Sequence, residues 1–357
     1  MQVTVWRGIA DEITRRIVSG ELPPGTKIES ESEMAERLGV SRHTVHKAIH
    51  ELQREGLVVR QRRWGTVVAE RPRLKKHRIG YVVDFTTNQF QTQLLSHIEL
   101  ALREGDRLLV ATSRNDPVLE AEHLRSLLSE VDGLIVYPAE GDENAALFKE
   151  IQAKGFPVVL IDRAPRGCED MVVLTDNVLS SELAVKCLSE RGCHRIAFFG
   201  NSNDRAMSNR ERRVGYEQAV ESIDPRLERW IHMSLEDNSE SMYQAVNDAL
   251  VTMRLKFPDL DGAFCTQDWL AQALIVACNA EGLEVGVNFK IATFNDFGEG
   301  FFRYPRRLIR VRQQVDRISL TAMQRLYSLF DQIPVPGGPI RISATIAPFA
   351  DREFSAA

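Results

Sequence analysis

Two sets of residues have types and spacings that could do chemistry. The first is Arg42, His43, Thr44, His46, Lys47 and His50, which follow Ser41. An arginine fork such as Arg42 can bond a guanine edge bidentately, and Thr44 can touch a thymine methyl or a phosphate. His46 can read a base edge through a ring nitrogen. Arg62 and Arg63, in the next segment, suit phosphate or the minor groove. The second set is a series of polar and aromatic clusters: Asp84 with Phe85, Tyr137, Asp162 with Arg163, Asp176, Asn201, Gln267 with Asp268, and Asn295 with Asp296. Carboxylates and amides pair with adjacent hydroxyls, arginine donates, and aromatic faces stack on sugar C–H surfaces. That chemistry suits a neutral polyhydroxylated ligand. No nucleophile–base pair is found, and Cys193-His194 has no second Cys or His pair at metal-ligand spacing. The expectation is no catalytic residue, no metal and no cofactor.

The first set needs a helix that is narrow and polar on one side. Ser30 and Glu33 have capping-box spacing, so a helix can start there. Gly39 is placed to end it, and Ser41 is a good N-cap for the next helix. Val45, Ala48, Ile49 and Leu52 fall at helical spacing and should face inward. Their burial leaves Arg42, His43, Thr44, His46, Lys47 and His50 outside. Helix, tight turn, helix is the geometry that enters a DNA major groove. Leu57-Val58-Val59 and Thr66-Val67-Val68 read as two strands around a basic turn, a wing. Upstream, Trp6, Ile9, Ala10, Ile13 and Ile17 mark a first helix with one apolar face.

The second set needs strand ends. Apolar runs at 79–83, 108–111, 133–137, 158–161, 196–199, 262–265 and 291–294 alternate with helical patterns such as 94–104, 119–128, 179–191 and 270–281. Continuous apolar strands between helices imply parallel sheets covered on both faces. About 280 residues is long for one such sheet, so two α/β lobes are expected. Ligands bind beyond the carboxyl ends of strands in open α/β sheets, and nearly every run above is followed by one of the clusters.

Charge separates the two parts. The chain has 357 residues and a net charge of −5. Its first 76 residues hold 15 Lys/Arg and 10 Asp/Glu, or +5, which leaves −10 on the rest. A basic head on an acidic body fits a DNA-binding piece attached to one that stays off DNA. The expected division is a head at 1–69, a linker at 70–77 and a body at 78–357. The start lacks a signal peptide pattern, and no apolar run is long enough to span a membrane. Five scattered cysteines suit reduced thiols better than a disulfide framework. A cytoplasmic protein without a membrane partner is expected. A transport binding protein does not fit these features.

The head resembles the GntR family of winged-helix regulators. The match runs through Gly20-Glu21-Leu22-Pro23-Pro24-Gly25, Ser30-Glu31, Leu38-Gly39-Val40-Ser41-Arg42, Thr44-Val45, Ala48, Leu52, Glu55-Gly56-Leu57 and Gly65-Thr66. The resemblance implies that Ser41, Arg42, Thr44 and His46 face DNA, with Gly65 at a wing tip near the minor groove. Position 46 is usually arginine in that family, position 32 is often basic rather than Ser32, and the wing usually has two glycines where Arg63-Trp64-Gly65 has one. These departures bear on which operator is read.

The body resembles the LacI/GalR regulator core and the periplasmic sugar-binding proteins. The resemblance rests on Arg78-Ile79-Gly80, Asp132-Gly133-Leu134-Ile135, the stretches 157–163 and 192–200, Arg212-Arg213-Val214-Gly215-Tyr216, Ala263-Phe264-Cys265 with Asp268, and Val311-Arg312-Gln313. It implies a ligand held between two lobes by Phe90 or Phe85, Asp162, Arg163, Arg212, Gln267 or Asp268, Asn295 and Gln313. Gln267 stands where asparagine is common, and Asn295 where a carboxylate is. The whole resembles regulators of the arabinose-repressor type. The expected function is a homodimeric repressor of carbohydrate genes that binds double-stranded operator DNA and is modulated by a sugar or sugar phosphate. The alternative is a regulator whose body only dimerises or takes a non-sugar effector. A pyridoxal-phosphate enzyme fused to such a head needs a larger, differently patterned body.

Overall fold

The computed structural model describes residues 5–61, 64–70, 76–86, 89–200, 205–223, 231–232, 239–295 and 308–347. The head contains α1 (Val5–Val18), α2 (Glu31–Leu38), α3 (Arg42–Arg54), β1 (Val58–Gln61) and β2 (Gly65–Val68). Ser30 and Glu33 close the expected capping box, and Gly39 ends α2 at φ 64°, the left-handed conformation that favours glycine. Ser41 caps α3 by accepting the Thr44 amide hydrogen. Val45, Ala48, Ile49 and Leu52 are buried against Ile9, Ile13 and Ile17 of α1 and Met34 of α2. β1 and β2 pair antiparallel, and Lys27 bridges to Val67 as a further contact along the ribbon. The strands run one or two residues further into the turn than the apolar run suggested. Backbone pairing of Gln61 with Gly65 carries the ladder past the last apolar side chain.

The body begins with β3 (Arg78–Val83), α4 (Gln89–Leu100), β4 (Arg107–Thr112), α5 (Pro117–Leu127), β5 (Gly133–Val136), α6 (Ala145–Ala153), β6 (Val158–Ile161) and β7 (Val172–Thr175). It continues with α7 (Asn177–Glu190), β8 (Ile196–Phe199), α8 (Met207–Ile223), β9 (Ile231–His232), α9 (Ser239–Lys256), β10 (Gly262–Cys265), α10 (Asp268–Ala280) and β11 (Lys290–Phe294). It closes with β12 (Ile309–Arg312), α11 (Val315–Phe330), β13 (Ile340–Ile342) and β14 (Thr345–Ala347).

Two six-stranded sheets form, ordered β13-β7-β6-β5-β3-β4 and β14-β12-β11-β10-β8-β9. The first is parallel throughout, and the second is parallel except where β14 meets β12. β4-β3-β5-β6-β7 and β9-β8-β10-β11-β12 are the same topology used twice. Each sheet is buried by helices on both faces, as its apolar strands require. The chain crosses between lobes after β7, after β12 and between β13 and β14. As a result α7 packs on the second sheet and α11 on the first.

All four helices expected from the apolar pattern lie earlier than it suggests, α5, α7 and α10 by one or two residues and α4 by four or five. α4 stops at Leu100 instead of Glu104, because the Tyr327 hydroxyl of α11 accepts the Arg103 amide hydrogen at 2.9 Å. Strands β7, β9, β12, β13 and β14 were not singled out from sequence. They are two to four residues long, and most lie at or beside sheet edges.

Candidate functional site

Two candidate sites follow, one on the head and one between the lobes. On the head, α3 presents Ser41, Arg42, His43, His46 and Lys47 to solvent, with Thr44 half-buried. Ser41 and Thr44 hydroxyls share a 2.7 Å hydrogen bond, so the cap and the first turn of α3 are one rigid unit. Gly65 has φ 100°, which only glycine adopts without strain, and neighbouring Trp64 is 65% exposed. Arg62 and Arg63 lie outside the described residues, as do Asn201 and Asp296.

A feature that pattern reading missed lies under these side chains. The Glu31 carboxylate, in the first turn of α2, is only 10% exposed. Its Oε1 meets His46 Nδ1 at 3.0 Å and accepts from Arg60 Nη2, while Oε2 lies 3.5 Å from Arg42 Nε. Burial alone would raise its pKa; the His46 hydrogen bond, with the charges of His46, Arg60 and Arg42, reverses this and holds it below the ordinary range. Nothing in the spacing of 31, 42, 46 and 60 signals this cluster, which needs three elements to meet.

Between the lobes, the carboxyl ends of both sheets face one another. Asp162 follows β6 and Asn295 follows β11, at topologically equivalent places. Both are left-handed, at φ 71° and 68°, and each donates its amide hydrogen to the next strand, to Val173 and Val311. Aspartate and asparagine tolerate this conformation better than other side chains. Gln313, at the crossing after β12, joins the lobes: its Oε1 accepts from Thr175 at 2.5 Å and its Nε2 donates to Asn295 Oδ1 at 2.6 Å.

The two arginines differ. Arg163 is held within the first lobe. It donates to Asp84 Oδ2 at 2.9 Å, Glu140 Oε1 at 3.1 Å and the Pro138 carbonyl at 2.7 Å, and its guanidinium lies 4.5 Å from the Tyr137 ring centre. Burial holds the Asp84 carboxyl above its ordinary range, although the Arg163 charge pulls the other way. Arg212 of α8 reaches Asn177 Oδ1 at 2.9 Å and the Thr266 carbonyl at 2.7 Å, over the Phe294 ring at 3.9 Å. Its Nη2 has no hydrogen-bond partner among the described residues. Burial lowers its pKa, opposed by Asp162 and Tyr137 across the cleft and by Glu211 and Asp268 on its own lobe.

Gln267 accepts from the Trp269 indole and donates to Asn209 at 3.4 Å, while Asp268 starts α10 with its pKa raised by burial. Phe90 stacks edge-on to Tyr137 at 6.4 Å, and Phe85 is 43% exposed at the rim. The structure thus joins Asn295 to Gln313 and places Asp162 and Asp268 within electrostatic reach of Arg212, with Gln267 bonded to Asn209 of the same helix as Arg212. Asn177, Thr266 and Asn209, all buried, belong to the same network, and their helical or strand-end positions gave no signal of it. Among the described residues no group of three His, Cys, Asp or Glu could hold a metal, and no helix is long and apolar enough to cross a membrane.

Comparison with known proteins bears on both sites. The family described as bacterial regulatory proteins, gntR family, matches residues 6–68, and the periplasmic binding protein domain matches residues 79–301. The chain is similar to the arabinose metabolism transcriptional repressor of Geobacillus stearothermophilus, 28% identical over 81% of each chain. It is similar to the HTH-type transcriptional regulator GntR of Escherichia coli K12, 26% identical over 88% of this chain and 96% of that one. Among solved structures, a putative ribose operon repressor from Burkholderia thailandensis superposes with a TM-score of 0.63 at 25% identity. That match covers 76% of this chain and 99% of the other.

Proposed function

Because the chain belongs to the periplasmic binding protein domain family and has a gntR-type regulatory head, we propose that it is a ligand-responsive transcriptional repressor of carbohydrate genes. Residues 1–69 form the DNA-binding head, 70–77 the linker and 78–357 the effector-binding body. The observation that carries this reading is a helix-turn-helix with a wing and a two-lobed body in one chain, matched along most of its length by an arabinose metabolism transcriptional repressor and by an HTH-type transcriptional regulator.

On the head, Arg42, His43, Thr44, His46 and Lys47 face the major groove, Ser41 meets backbone phosphate, and Arg62, Arg63 and Gly65 bring the wing to the minor groove. In the cleft, Asp162, Arg212, Gln267, Asp268, Asn295 and Gln313 hold the effector's polar edge, while Phe90 and Phe85 cover its C–H face. Arg163 supports this surface from behind. A homodimer presents two heads to a pseudo-palindromic operator. The protein works in the cytoplasm, where the operator is, and performs no catalysis.

Effector and DNA are coupled through lobe closure. Only a difference in effector affinity between two body states can shift operator binding. A fiftyfold loss of operator affinity requires a coupling of about 2.3 kcal/mol.

The test has two stages. Duplexes selected by the protein from a random pool define its operator, and Arg42→Ala is expected to lose that preference while folding and dimerising normally. Unchanged preference would remove α3 from the interface. A thermal-shift panel of pentoses, hexoses, uronic acids and their phosphates then seeks the effector. A ligand at one hundred times its dissociation constant stabilises by about 2.7 kcal/mol. A hit that also weakens operator binding supports the reading. Silence across the panel points to a body that only dimerises or takes a non-sugar effector.

A further inference from the structure

We propose that Glu31 is a positioning residue for operator readout: its carboxylate fastens Arg42 and His46 of the recognition helix and Arg60 of the wing into one prearranged unit. This rests on the DNA-binding role of the head.

A carboxylate is an unexpected group at a surface meant for phosphates, since it repels them. Glu31 stays tolerable because its charge is already engaged. It is 10% exposed, whereas its partners Arg42, His46 and Arg60 are 72%, 48% and 56% exposed. The carboxylate therefore sits behind the side chains it holds, and those side chains form the outer layer. What remains free on each partner is the part that can read DNA. Arg42 approaches Glu31 with Nε at 3.5 Å on a side chain that is 72% exposed, so its two terminal nitrogens can form a fork to a guanine edge. His46 meets Glu31 with Nδ1, so its second ring nitrogen, Nε2, is not engaged by the carboxylate. Arg60 uses Nη2, which ties the wing strand to the same point.

Long side chains lose rotamer freedom when they order at an interface, and prearrangement removes that cost from the binding step. Glu31 does this for three groups on two elements. It also sets the position of the wing relative to α3, because β1 and α3 share the carboxylate. Its effect should appear in discrimination between sequences and much less in attraction to DNA as such, because removing it deletes a negative charge from the interface.

The experiment compares full-length wild type, Glu31→Gln, Arg42→Ala and the double variant. Each is titrated against the duplex that wild type selects from a random pool and against a scrambled duplex of the same length and salt. Glu31→Gln is expected to lower the ratio of the two affinities by about tenfold, the scale of one good base contact, while scrambled-duplex affinity and melting temperature stay near wild type. The double variant should fall little further than Arg42→Ala alone, since coupled groups are not additive. Arg60→Met, which cuts the wing's tie to the carboxylate and leaves Arg42 and His46 in place, gives the same comparison if Glu31→Gln melts early.

An unchanged ratio, or a double variant that falls by the product of the single effects, would overturn the proposal. So would a changed preference confined to one base pair, the mark of a direct Glu31 contact with cytosine. A wild type that selects no preferred duplex would instead overturn the DNA-binding role itself.

Discussion

At the scale of single residues, the two buried arginines of the body have different tasks. Arg163 has a first-lobe acceptor at each nitrogen, including the buried Asp84 carboxylate. Removing it leaves Asp84, whose side chain is 8% exposed, without its cation. Arg163→Ala is therefore expected to cost about 3–5 kcal/mol of unfolding free energy, read from urea midpoints. A loss under about 1 kcal/mol would mean that solvent takes over its role. Arg212 is different because its Nη2 has no hydrogen-bond partner among the described residues and the charges acting on it include Asp162 of the other lobe. Arg212→Ala should abolish the effector's influence on operator binding and leave effector-free operator affinity intact. A variant that still releases DNA normally would remove Arg212 from the cleft's function.

At the scale of elements, α3 does two jobs with two faces. Its outer face bears the DNA-reading groups, and its inner face holds the head together through Val45, Ala48, Ile49 and Leu52. Leu52 is fully buried. Leu52→Ala should destabilise the head by about 2–5 kcal/mol through lost apolar contact and a residual cavity. Denaturation followed by helical circular dichroism should show an earlier head transition, with operator binding lost alongside it. Arg42→Ala, on the other face, should lose operator preference with no such shift. The contrast separates recognition from scaffolding within one helix. If Leu52→Ala melts like wild type, the packing of α3 on α1 and α2 described here is wrong.

At the scale of the whole molecule, the lobes meet through chain crossings and polar contacts. Gln313 links Thr175 of one lobe to Asn295 of the other, and Arg341 of β13 pairs with Glu211 of α8 at 2.6 Å. This is a hinge-like joint, able to rearrange without exposing either core. Asp84, Glu120 and Asp268 line or support the cleft, and burial raises the pKa of each. A carboxyl with a raised folded pKa binds protons more readily folded than unfolded. Its contribution is present in full below the unfolded value and is lost as pH rises through the folded value. Body stability should therefore carry a component that falls as pH rises above the ordinary carboxylate range. Asp268→Asn, which keeps the acceptor for the Trp269 amide hydrogen, should flatten part of that fall in urea midpoints taken across the window. An identical slope in the variant would show that Asp268 titrates normally.

Features that depend on local rules can be read from the order of residues alone. Caps at Ser30 and Ser41, the stop at Gly39 and the inward stripe of α3 are set within a few residues of one another, so their spacing is enough to read them. Continuous apolar strands and the polar residues at their ends are legible for the same reason, and with them the two-lobed α/β body. Tertiary structure decided what depends on distant segments meeting. Position along the chain cannot show that Glu31 gathers Arg42, His46 and Arg60, that Tyr327 takes the Arg103 amide hydrogen just past α4, or that Arg163 bonds Asp84 and Glu140 while Arg212 bonds Asn177 and the Thr266 carbonyl. Each of these rests on a side chain whose partner is chosen by packing. The type of residue limits what it can bond, but only the fold brings the partner within reach.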